Sequence, residues 1–151
     1  MKPLFVLLGT FVASLLVIKL FGGEFDFSLA GRIAMSAMLI FTAIGHFAFA
    51  EGMTMMLPSF VPFKKEVVYL TGVIEVAAAI GLLIPRLQNL TAWLLILFFF
   101  LILPANINAA VNKVDYQKGT TDGNGLTYLW FRVPLQIFFI AWVYFFAVKL
   151  F

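Results

Sequence analysis

Apolar residues gather into five long runs along the chain, at positions 3–21, 30–50, 67–84, 90–111 and 133–151, with short polar breaks between them. Each run is close to the roughly 20 residues a helix needs to cross a hydrocarbon core at about 1.5 Å per residue. The pattern predicts helices and not strands, because an open sheet edge leaves backbone groups unpaired in lipid. The alternating pattern of a membrane barrel is also absent. The breaks fall at 22–29, 51–66, 85–89 and 112–132. The third is so short that the runs on either side of it must form an antiparallel hairpin. The expected fold is an all-α integral membrane bundle of five transmembrane helices, a single membrane domain over residues 1–151.

Composition sharpens this reading. Of 151 residues, 64% are hydrophobic, 17% aromatic and 11% charged, and the mean hydropathy is +1.07. A soluble domain is about half apolar and about a quarter charged. The polar residues here are too few to cover the apolar surface of a water-soluble globule. That excludes a soluble enzyme, a disordered tail and a nucleic-acid-binding domain. The ten Lys and Arg are scattered, mostly at the ends of the runs, where cations reach the membrane interface; a nucleic-acid patch would need them clustered. There is no cysteine, so disulfides, thiolate catalysis and cysteine metal sites are excluded.

The first run ends in Lys19-Leu20-Phe21-Gly22-Gly23 without a small-x-small cleavage site, and is expected to be an uncleaved helix. Five spans put Lys2, Lys64, Lys65, Lys113, Lys118 and Arg132 on one face and Lys19, Arg32, Arg86 and Lys149 on the other. This bias predicts a cytoplasmic N-terminus. The expected location is a bacterial inner (cytoplasmic) membrane.

An ionisable group inside a membrane helix is costly and is a functional candidate by default. Glu75 stands nine residues beyond Glu66, roughly 13 Å deep on helical rise. Its neighbours at three and four residues are Thr71, Gly72, Ala78 and Ala79, a small-residue face that packs against another helix. Glu75 is therefore expected to point into the bundle, protonated, paired with a cation or facing a wet cavity. The topology brings His46, Glu51, Asn106, Asn108, Arg132 and Gln136 towards the same half, while the opposite half is expected to offer few comparable groups. For these residues the plainer roles are interhelical glue, interface anchoring of Arg132 beside Tyr128 and Trp130, and repair of a Pro104 kink by Asn106 and Asn108.

Residues 51–65, broken by Pro58 and Pro62, cannot form one helix. They are expected to make a lid that either gates the polar half or plugs the end of the bundle. Met53, Met55 and Met56 near His46 carry soft copper ligands, but methionine more often fills gaps, and no metal site is expected. Asp122-Gly123-Asn124-Gly125 resembles part of a calcium loop without the downstream glutamate, and is expected to be a tight turn.

Several segments together resemble the DoxX-like family of small integral membrane proteins. They are Gly45-His46-Phe47, then Tyr69-Leu70-Thr71-Gly72-Val73-Ile74-Glu75, then Gly81-Leu82-Leu83-Ile84-Pro85-Arg86. Leu103-Pro104-Ala105-Asn106-Ile107 follows, and finally Tyr128-Leu129-Trp130-Phe131-Arg132-Val133-Pro134-Leu135-Gln136. The resemblance covers about 32–142 and implies a four-helix core, here preceded by one extra helix, with a loose link to membrane redox processes.

The expected function is binding of a lipid, quinone or other small amphiphile in a polar pocket on one half of the bundle, as an accessory to such a process. The head would meet His46, Glu75, Asn106 and Arg132, and the tail the Phe-rich helices. One alternative is a membrane enzyme or redox subunit in which His46 and Glu75 move protons, which requires them within hydrogen-bond reach. The other is a pocketless scaffold or assembly subunit. The expected partners are the bilayer and a membrane protein or second copy of the chain, with no nucleic acid. Transport is disfavoured, since no inverted repeat is visible.

Overall fold

The computed structural model describes residues 2–150, and its five long helical segments run where the apolar runs lie. Helix α1 spans Lys2–Gly22, α2 Phe27–Ala48, α3 Ala50–Thr54, α4 Lys64–Leu83, α5 Gln88–Val111 and α6 Leu129–Val143. A 3₁₀ turn, Gly125–Tyr128, leads into α6, and a π-helical turn, Tyr144–Lys149, continues it. Five of these segments are long and apolar enough to cross a membrane. Residue 151, the end of the fifth run, lies outside the described residues.

The helix ends follow local chemistry. Pro3 sits in the first turn of α1, where a missing N–H costs nothing. Gly23, at φ 80°, closes that helix by bonding Lys19 O. Asp26 then caps α2 by accepting from Leu29 N at 2.9 Å. This cap starts α2 at Phe27, three residues before the apolar run. Likewise α4 begins at Lys64, because Lys64-Lys65-Glu66 are helical despite their charge. Helix α6 starts at Leu129, four residues earlier than the run.

Helices α2, α4, α5 and α6 form a ring in chain order, with α2 also meeting α6 and its π-helical end. Helix α1 lies outside the ring against α2; Leu7 is fully buried there, and Phe11 meets Trp142 edge-on at 5.0 Å. The tightest contact is α2 on α4. A Cβ at Gly72 would lie 3.0 Å from His46 Cβ and 3.1 Å from the Phe47 ring, so glycine is what lets these two helices approach. The core is solid and apolar, built from Met35, Met38, Leu39, Leu82, Leu95 and Val143 among others.

The ring has two distinct ends. At the lid end lie α3, residues 55–63, the loop 112–124 and the starts of α4 and α6. A Cβ at Gly52 would fall 1.8 Å from the carbonyl oxygen of Tyr116, so α3 is pressed directly onto the long loop. Asn108 Nδ2 donates to Met56 O at 2.8 Å and ties the lid to α5. In the loop itself, Asp115 accepts from the backbone N–H groups of Gln117 and Lys118. Thr120 donates its hydroxyl to Asp122 and holds that carboxyl below its usual pKa. The loop acids are thus engaged in turn formation.

The opposite end corrects one expectation, because it is not poor in polar groups. Ser28 donates to Phe146 O, Arg32 to Leu82 O, Ser36 to Ala79 O, Gln88 to Ala147 O and Trp142 to Gly31 O, all at 2.8–3.2 Å. Gln88 is completely buried. Every one of these bonds ends on a backbone carbonyl, which is what structural stitching between helices requires.

Candidate functional site

The lid half holds a different kind of contact, between two titratable side chains. Helix α4 turns Val68, Gly72, Glu75, Ala79 and Leu82 to the buried side, the three-and-four spacing of one helical face. Glu75 is only 5% exposed on that face. His46, near the end of α2, lies against it, with Nε2 3.3 Å from Glu75 Oε2. The contact is close but not aligned as a hydrogen bond, and Glu75 Oε2 is sealed from solvent with no hydrogen-bond partner.

The other ring nitrogen fixes where hydrogens sit. His46 Nδ1 lies 3.2 Å from Val68 O and 2.9 Å from Thr71 Oγ1. A carbonyl can only accept, so Nδ1 carries a hydrogen. Thr71 gives its own hydrogen to Val68 O at 2.7 Å and therefore accepts from the imidazole. Nε2 is left facing the carboxyl. Nε2 and Oε2, at 3.3 Å, are the closest approach of the two titratable side chains. Thr71, His46 and Glu75 have the composition of a nucleophilic triad but not its chemistry. The threonine hydrogen is committed to Val68 O, and a nucleophile must hand its hydrogen to the base.

The remaining candidates fall into separate groups. Asn106 is buried and meets Arg132 Nε at a long 3.4 Å, while the Arg132 guanidinium lies 5.7 Å from the Tyr128 ring centroid. Gln136 donates to Phe99 O at 2.9 Å and joins α5 to α6. Asn108 holds the lid through Met56 O and accepts from Asn112. Neither asparagine therefore matches the kink-repair role suggested by Pro104, which α5 passes through without a break. Glu51 is exposed and pairs with Lys65 at 3.9 Å, a surface contact worth little. The bundle thus has several separate polar groups in this half, and among the described residues only His46 with Glu75 joins two titratable side chains in its interior.

The open space of the lid end lies beside that pair. A groove of about 920 Å³ runs between the end of α2, the lid, the start of α4 and the loop. Phe47, Phe49 and Tyr69 form its apolar wall, with Phe47 stacked on Tyr69 at 5.6 Å and 14°. Lys64, Lys65 and Lys118 form its charged mouth, and Tyr116 lies between. Of the residues picked out in the sequence as site candidates, only Glu51 lines it. His46 and Glu75 do not line it; Phe47, which does, follows His46 in α2. The lysines and tyrosines escaped selection as site residues because charged and aromatic residues at run ends read as ordinary interface anchors. Their common position on one end was the usable signal.

The chain matches, over residues 35–147, the family model described as a domain of unknown function, DUF8561. It belongs to this family. The match takes in the four-helix ring, the lid and the long loop, and leaves α1 outside. The DUF8561 region therefore carries His46, Glu75 and every residue of the groove. No curated protein and no solved structure matches the chain.

Proposed function

We propose that this chain is a DoxX-like integral membrane protein that binds a lipid, quinone or other small amphiphile at the lid end, without catalysing a reaction on it. The observation that carries this reading is the groove, whose lining brings Lys64, Lys65 and Lys118 together with the stacked rings of Phe47 and Tyr69. An amphiphile combines those same two chemistries, and a few placed polar groups on an apolar cleft are what ligand recognition needs. The surroundings fit an interfacial position. Phe60, Phe63 and Trp130 are all strongly exposed at this end, as expected of aromatic residues at headgroup level.

The site differs from the pocket anticipated around Glu75. The head would meet the groove mouth, and the His46–Glu75 pair would lie outside the lining. The test is amphiphile retention by the purified chain, followed by native mass spectrometry, with Ala48→Trp filling the groove floor. Retention lost in Ala48→Trp and kept in the wild type supports the reading. Equal retention by both removes it.

A second reading, a redox or enzymatic subunit using His46 and Glu75 for proton transfer, is favoured by one observation. The two groups lie within reach of a shared proton, at 3.3 Å. It predicts that Glu75→Gln, which preserves shape but cannot ionise, abolishes quinone-linked proton uptake in reconstituted vesicles. Unchanged uptake would leave the pair a structural one.

A further inference from the structure

We infer that the groove selects an anionic headgroup, and that its occupant is an anionic phospholipid and not a neutral quinone. This inference rests on the amphiphile reading above and goes on to name the class. Three lysines line the groove, Lys64, Lys65 and Lys118, against one acid, Glu51. Lys65 and Glu51 meet at 3.9 Å, and Lys118 meets Asp115 at 4.0 Å; in both pairs at least one partner is well exposed. Such pairs are weak and readily rearranged, so neither lysine is used up by its neighbour. Lys64 makes no ion pair among the described residues and is half-buried. Three cations thus stand against two acids, Glu51 in the lining and Asp115 beside Lys118, which leaves a surplus of one positive charge beside an apolar slot.

Position adds to charge. Lys65 and Tyr69 lie one turn apart on α4, so a phosphate held by the lysines places its glycerol and upper acyl chain against Tyr69 and Phe47. The α4 start contributes in the same sense, since Phe63 provides no side-chain cap and the first-turn N–H groups take no backbone partner. Tyr116 lies in the same wall and can donate its hydroxyl to phosphate oxygen. A quinone offers only neutral carbonyls and would leave Lys64 without a counter-charge, with Lys65 and Lys118 served only by their weak surface pairs.

The test uses the full chain in detergent, titrated with phosphatidylglycerol and phosphatidylcholine of identical acyl chains and read by native mass spectrometry. Phosphatidylglycerol is expected to bind at least about tenfold more tightly, each cation near a membrane surface being worth about fivefold (about 1 kcal/mol). Lys64→Gln and Lys118→Gln should each lower its affinity by about that factor, Lys64→Arg should restore it, and Glu51→Gln should raise it. Lys19→Gln and Lys149→Gln, at the other end of the bundle, should change nothing. Equal binding of the two lipids, or an equal loss in Lys19→Gln, overturns the inference. If the two lipids bind equally but Ala48→Trp expels both, the anionic selection fails and the amphiphile reading stands. If Ala48→Trp has no effect on either lipid, both fail.

Discussion

The two ends of this bundle use similar side chains for different purposes. At the end opposite the lid, serine, arginine, glutamine and tryptophan each donate to a backbone carbonyl of a neighbouring segment. Those contacts need no ionisable partner, and the space among them is closed. At the lid end, an acid and an imidazole face one another, and an open groove with a cationic mouth lies beside them. The difference teaches that a buried polar residue in an apolar helical bundle is best judged by where its bond ends. Donors to carbonyls hold helices together. Buried polar atoms without a hydrogen-bond partner occur at both ends, Glu75 Oε2 at one and Arg32 Nε and Gln88 Oε1 at the other, so what sets the lid end apart is the meeting of an acid and an imidazole beside a cleft.

Substitutions at three positions test this contrast, in decreasing size of effect. Gly52→Ala drives a Cβ into the Tyr116 carbonyl, where neither backbone can give way easily. It should cost about 3 kcal/mol, the upper end of overpacking, and should release the lid while leaving the opposite end intact. Hydrogen exchange resolved by segment would show this as lost protection at 50–63 and 112–124 alone. Loss spread evenly over the bundle would mean that the two ends are not independent.

Glu75→Ala removes the partner of His46 Nε2 and leaves a small void on a tightly packed face. Its expected cost is about 2 kcal/mol in unfolding free energy. Glu75→Gln should cost much less, because the amide can still meet Nε2 as donor or acceptor. Equal costs for the two variants would show that the polar contact with Nε2 adds nothing to the filling of space.

Ser36→Ala removes the hydroxyl that bonds Ala79 O at 2.8 Å. Interhelical bonds of this kind average about 0.6 kcal/mol, and thermal unfolding in detergent should move by no more than that. A loss as large as that of Glu75→Ala would erase the distinction between stitching and site.

Much of this fold was legible in the sequence, and the reasons are physical. Apolar runs of spanning length have few folded solutions other than helices, so the five long elements and the hairpin at Pro85 followed directly. Glu75 was legible because a carboxyl amid Gly72, Ala78 and Ala79 has no apolar excuse. Its pairing with His46 was suggested by topology, but a sequence carries no angle or register, and Asn106, Arg132, Asn108 and Gln136 proved to bond elsewhere. Ser36 and Gln88 were passed over because a single hydroxyl or amide looks the same whether it stitches helices or meets water. The groove depends on how α3 folds back onto the loop 112–124. That in turn depends on a contact between Gly52 and Tyr116 that lie 64 positions apart, and no local pattern reveals it.

The most direct test of the central claim, that the lid end is the functional end, is an experimental structure of the chain in lipid nanodiscs. The account predicts non-protein density in the groove between Phe47, Tyr69 and Tyr116, with its dense head beside Lys64 and Lys118. A bare groove, or ordered density at the Arg32 and Gln88 end instead, would contradict it.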